Sequence, residues 1–237
     1  MADEKLYFMI RDALAAFLKF NNRMEVSGTE NIPSGGALVC PNHTNYSDPF
    51  FLGAAVEDRV MHFLAWHGIA EMPLVGPLFS RIGTMHPIHE SYGVAEDKNE
   101  VREKLDTLRD LLKSGELCVI FPEGTIKHWI RPGGDELDEF KPGATRLAAQ
   151  AGVPIMPVAM TGTRWVVANI INYHDWGGPD KGFWLPSALP VKVRVRIGKP
   201  FKVDPAAADD REVNARESER LRDVIADMLD EMRGRKR

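Results

Sequence analysis

The sequence predicts an α/β fold: a mixed, largely parallel twisted sheet flanked by helices. Short apolar runs at 37–40, 60–65, 116–121 and 153–160 have strand length, and they alternate with amphipathic or small-residue stretches of helix length. That alternation points to parallel connections. Two polar clusters, at 42–48 and 122–125, each follow the end of such a run. In open α/β sheets functional loops gather beyond the carboxyl ends of the strands, so the two clusters are expected to face one cleft.

The elements follow in order. Lys5 to Phe20 is rich in aliphatic and aromatic residues, interrupted only by Arg11, Asp12 and Lys19 among its charges. Leu6, Ile10, Leu14, Phe17 and Leu18 form a helical stripe, and Tyr7, Phe8 and Met9 widen it beyond a single packing face. Two readings fit: a helix lying in a lipid headgroup region with Lys19 and Arg23 snorkelling, or one docked on its own domain. The expected division is therefore an N-terminal amphipathic, membrane-contacting helix at 1–24 and an α/β domain at 25–237. Turn residues at 31–36 precede the strand at 37–40, which stops at Pro41. A helix is expected from Phe50 to about Val56, a strand over 60–65, and a helix within 73–83 closed by Gly83. A short extended piece covers 84–88. Val101, Leu105, Leu108, Leu111 and Leu112 mark an amphipathic helix over 96–114 with Gly115 behind it. A strand at 116–121, a small-residue helix at 143–151, strands at 153–160 and 191–197, and a helix at 212–233 complete the chain.

Composition narrows the function. At 237 residues the chain is long enough for one large domain with a sizeable core. A net charge of -4 lacks the basic balance of a nucleic-acid binder, so no nucleic-acid partner is expected. Two cysteines, Cys40 and Cys118, make no disulfide framework, and a reduced, cytoplasmic setting is expected. No apolar stretch approaches the ~20 residues needed to span a bilayer, and the acidic start lacks a signal-peptide pattern. No Cys/His/carboxylate cluster has metal-ligand spacing, so no metal is expected.

The chemistry-bearing stretch is Asn42-His43-Thr-Asn-Tyr-Ser-Asp48-Pro49. Pro49 turns Asp48 away from helical backbone and favours a helix start just after it. A carboxylate five residues beyond a loop histidine can fix its tautomer and leave the other ring nitrogen as a general base. A plain loop histidine and a helix-capping aspartate would look the same in isolation.

Four ordered blocks resemble the glycerolipid acyltransferases. Asn42-His43-x4-Asp48-Pro49 is similar to the family's His-x4-Asp block, and Gly76-Pro-Leu-Phe-Ser-Arg81-Ile-Gly83 to its second. Phe121-Pro-Glu123-Gly124-Thr125 is similar to the third and Val153-Pro-Ile-Met-Pro157-Val158 to the fourth. The resemblance implies transfer of a fatty acyl group from acyl-CoA or acyl carrier protein to a hydroxyl of a lysophospholipid such as 1-acyl-glycerol-3-phosphate. It implies His43 as base and Asp48 as its orienting partner. It also implies substrate contacts from Asn42, Glu123, Gly124 and Thr125, with backbone N–H groups near Gly124 serving an oxyanion. A thioester is already activated, so no cofactor is implied beyond that co-substrate. The protein is then expected to sit peripherally on the inner face of the cell membrane.

Two positions depart from the family pattern. His89 and Ile126 stand where the family has arginines that grip the acceptor phosphate. Arg81, His89, Lys127 and Lys141 are the expected stand-ins, with His128, Arg131 and Arg164 as further cations. An acceptor other than lysophosphatidate is the alternative, and a thioester hydrolase or a non-catalytic lipid-binding module are the rivals from other classes. The chain has no Gly-x-Ser-x-Gly elbow of the usual esterase. Cys40, within an apolar strand, is a poor nucleophile beside His43.

Overall fold

The computed structural model describes residues 3–71, 75–91, 94–95, 97–124, 126, 136–166 and 189–234. Helix α1 (Glu4–Asn21) leads to β1 (Glu25–Ser27), β2 (Ala37–Pro41), α2 (Asp48–Ala55), β3 (Met61–Trp66), α3 (Gly68–Glu71), α4 (Val75–Ile82) and β4 (Met85–Ile88). A two-stranded hairpin of β5 (Glu90–Ser91) and β6 (Val94–Ala95) precedes α5 (Lys98–Lys113) and β7 (Leu117–Val119). Then come α6 (Gly143–Ala151), β8 (Ile155–Thr161), β9 (Arg194–Ile197) and α7 (Arg211–Arg233).

Among the described residues, seven strands form one sheet in the order β1-β9-β8-β2-β7-β3-β4. Pairing is parallel from β8 through β2, β7 and β3 to β4. The expected parallel sheet is therefore present, with one change of direction: β9 runs antiparallel to β8, and β1 runs parallel to β9. Strand β2 is wholly buried at the centre, which accounts for its continuous rather than alternating apolar run. Its side chains alternate between two cores. Ala37 and Val39 join α1 and α2 on one face, whereas Leu38 and Cys40 join α5, α6 and α7 on the other.

Local signals set most boundaries. The Asp97 side chain accepts the N–H of Asn99, so α5 begins one cap later than the periodicity alone suggests. Asp210 caps α7 by accepting from Glu212 and Val213. Strand β7 is shorter than the apolar run 116–121 because the Gly124 N–H turns back to the Phe121 carbonyl and ends the extended backbone. Strand β1 and the β5–β6 hairpin, three and two residues per strand, were not expected from the sequence.

Helix α1 is docked. Tyr7, Ala15 and Leu18 are buried against the domain, and Phe8 and Ile10 pack with Ile82 and Leu78 of α4. The same helix leaves Met9 at 62%, Phe17 at 50% and Phe20 at 88% exposure. Its width beyond one packing face thus has a structural counterpart in a second, outward apolar side. Among the described residues, no helix is long and apolar enough to cross a membrane.

Candidate active site

The site is assembled at the carboxyl ends of the parallel strands. Strand β2 ends at Pro41, and Asn42 carries the chain away from the sheet while remaining tied to it. Its side-chain Nδ2 donates to the Met160 carbonyl at 3.1 Å, and its Oδ1 accepts the Met160 N–H at 2.7 Å. The amide thus imitates one further step of the β2–β8 ladder. Asn42, expected as a substrate contact, is buried, and its amide is engaged with Met160 of β8.

His43 follows directly. Its Nδ1 lies 2.9 Å from Asp48 Oδ2. The same oxygen accepts the N–H groups of Thr44 at 2.6 Å and Asn45 at 2.9 Å. A carboxylate holding two backbone donors has a fixed position, and an acceptor facing Nδ1 places the imidazole proton there. The lone pair then lies on Nε2. Asp48 is fully buried in the first turn of α2, where the helix dipole favours negative charge. The other face of the imidazole is fixed by Phe121, whose ring stacks on it with centroids 4.0 Å apart.

Glu123 supplies the second anchor. Its Oε1 accepts the His43 N–H at 2.7 Å, and its Oε2 accepts the Asp138 N–H at 3.1 Å. Burial pushes its carboxyl pKa up, against the lowering effect of those two N–H groups. Glu123, expected to touch substrate, has each of its oxygens accepting a backbone N–H. Gly124 adopts φ 69°, a left-handed conformation that suits glycine. A Cβ built there would meet Lys141 Nζ, Cε and Cδ at 2.5–2.8 Å, so the Lys141 stem lies across the turn. The Gly124 N–H donates to Phe121 O at 3.0 Å.

The other sequence candidates scatter around this centre. Arg81 is exposed in the last turn of α4. His89, beyond the end of β4, is held by Glu100: its Nδ1 lies 2.9 Å from Oε1, and its N–H donates to Oε2 at 2.9 Å. These hydrogen bonds from His89 hold the Glu100 carboxyl below its ordinary pKa. The His89 ring also stacks on His67 at 4.1 Å. Thr125, Lys127, His128 and Arg131 lie outside the described residues. Sequence reasoning passed over Phe121 as a ring partner, although it stands in the third block. It also passed over Thr163, whose hydroxyl meets that of Thr44 at 2.9 Å, for which no sequence signal exists.

Residues 23–161 match the family model described as Acyltransferase. The chain belongs to the acyltransferase family. It is 28% identical over 162 residues to a chloroplast 1-acyl-sn-glycerol-3-phosphate acyltransferase of Brassica napus, covering 65% of this chain and 42% of that protein. A chloroplast protein of the same description from Arabidopsis thaliana is 30% identical over 146 residues, covering 60% of this chain and 36% of that protein. This acyltransferase chain thus spans about two fifths of the length of those relatives. The 1-acyl-sn-glycerophosphate acyltransferase of Thermotoga maritima shares its fold, with a TM-score of 0.62 and 22% identity over 100% of this chain and 86% of that one.

Proposed function

We propose that this acyltransferase moves a fatty acyl group from a thioester, on acyl-CoA or acyl carrier protein, to a hydroxyl of a lysophospholipid such as 1-acyl-glycerol-3-phosphate. The 2.9 Å contact between His43 Nδ1 and Asp48 Oδ2 carries the reading, because it leaves Nε2 as a base. Nε2 takes the acceptor hydroxyl proton as that oxygen attacks the thioester carbonyl. Asp48 stabilises the imidazolium, the tetrahedral intermediate collapses, and the thiol leaves with the proton from Nε2. The substrate hydroxyl occupies the role that a serine plays in a Ser-His-Asp triad. The thioester brings its own activation, so no cofactor enters the scheme.

The acceptor reaches the site from a membrane in this reading, with the protein peripheral on the inner face of the cell membrane. The outward apolar side of α1, with Met9, Phe17 and Phe20, supports a lipid contact. Ile126, apolar, and His89, occupied by Glu100, favour a second version in which the acceptor is a lipid other than lysophosphatidate.

The test is acceptor-dependent thiol release by wild type and His43→Ala with a panel of lysolipids and neutral lipid alcohols. Wild-type turnover that needs the lipid alcohol, and that falls by about 10³-fold or more in the variant, is expected. Equal thiol release with and without an acceptor would make the protein a hydrolase. Turnover insensitive to His43→Ala would end the mechanism.

A further inference from the structure

At the end of β8 the chain enters a single 3-10 turn, Thr163–Trp165. Two contacts fasten that turn to the loop carrying His43. The Thr163 and Thr44 hydroxyls lie 2.9 Å apart, and Asn45 Nδ2 donates to the Arg164 carbonyl at 3.3 Å. The Arg164 backbone is thereby tied to the loop that carries His43. It stands on the β8 flank of β2, whereas Phe121 and Glu123 occupy the β7 flank. Its guanidinium carbon sits 5.0 Å over the ring centroid of Trp165, a residue 51% exposed. A guanidinium carries its N–H donors in one plane, a fork that phosphate oxygens match.

On the opposite side the arrangement is poor for phosphate. Ile126 offers no charge. His89 lies three strand positions from β2, with Nδ1 and N–H both given to the carboxylate of Glu100. We infer that Arg164 binds the phosphate of the acceptor, so that the phosphomonoester is gripped from the β8 flank of the site. The inference rests on the acyl transfer proposed above and names its specificity-determining residue.

The phosphate chemistry recognised here also occurs in the donor, in the nucleotide of acyl-CoA. The experiment separates the two sources. Arg164→Gln and Arg164→Lys are assayed with lysophosphatidate and with monoacylglycerol as acceptors. Each acceptor is paired with acyl-CoA and with an acyl-N-acetylcysteamine that carries no phosphate, and thermal unfolding monitors the fold. The preference for lysophosphatidate over monoacylglycerol, as a ratio of kcat/KM, falls roughly 10- to 100-fold in Arg164→Gln, the worth of a charge-assisted hydrogen bond. Arg164→Lys retains part of it, and the fall is the same with either donor. Loss of activity equal on both acceptors, an effect confined to acyl-CoA, or an unchanged preference overturns the inference. Wild-type protein that transfers to neither acceptor, nor to any lipid of the wider panel, removes the acyl-transfer reading and this inference with it; transfer confined to another lipid of the panel removes this inference alone. Normal wild-type transfer with an unaltered Arg164→Gln variant removes this inference alone.

Discussion

The backbone N–H of His43 donates to Oε1 of Glu123 at 2.7 Å, across 80 residues of chain. The loop after β2 is therefore pinned by the loop after β7, through the peptide group of the proposed base. Glu123→Gln leaves one acceptor oxygen for two donors, His43 and Asp138. We expect kcat to fall about 10-fold or more while acceptor KM changes little, since the damage falls on the placement of the base. Steady-state kinetics check this; a change confined to KM would return Glu123 to substrate binding.

The same carboxyl has a pH signature. Burial raises its pKa in the folded protein, so the folded state keeps a proton that the unfolded chain has already lost. Stability accordingly falls as pH rises from the ordinary glutamate range through the raised value. The stability of the wild type minus that of Glu123→Gln, from urea unfolding between about pH 4 and pH 7, should shrink as pH rises.

Asn42→Ala removes the side chain that serves both the N–H and the carbonyl of Met160. Two buried backbone groups lose partners, and a loss of about 2–4 kcal/mol is expected. Because Asn42 adjoins His43, activity per folded molecule should fall too. Chemical denaturation together with kinetics on the folded fraction separates the effects.

Gly124→Ala forces a Cβ into the stem of Lys141 at a left-handed φ. The backbone strain alone costs about 1–2 kcal/mol. In the double variant with Lys141→Ala the steric part is relieved and the backbone part remains, so the two changes combine non-additively in a denaturation cycle.

His62 and His86 face each other between β3 and β4, with Nδ1 and Nε2 3.2 Å apart. Burial, followed by the charges of His62 and Lys104, lowers the His86 pKa to about 4; burial also lowers that of His62, against the raising influence of Glu116. A depressed histidine pKa means that the unfolded chain takes up protons first, so stability is lost as pH falls from about 6.5 toward 4. His86→Phe should reduce the loss by about 1–2 kcal/mol, allowing for partial exposure. Thermal midpoints at neutral and acidic pH measure it.

What could be read from the sequence follows the reach of each interaction. Helices α5 and α6 are legible because burial of one face imposes a period on the residues themselves, and strand β2 because burial of both faces makes it a continuous apolar run. The pairing of His43 with Asp48 is legible too, since five residues separate them. Strand β1 has three residues and no room for a period. The reversed direction of β9 depends on how 166–193 connects it, which no local pattern encodes. Asn42 and Glu123 stood out as polar residues in motifs, but their roles are set by partners at Met160, His43 and Asp138, more than ten residues away in each case. His89 could be seen to replace an arginine; that Glu100 would hold it could not.

All three hydrogen bonds to Asp48 Oδ2 come from residues 43, 44 and 45. The proposed base and its orienting carboxylate are thus a short-range unit, closed within six residues of chain, while the groups proposed to hold the reactants come from other strands. Such a unit is modular. On the proposed mechanism the rim could be rebuilt for a new headgroup or a longer acyl chain without disturbing proton transfer, and a transplanted loop would carry its own internal alignment into any sheet that supplied the two external anchors.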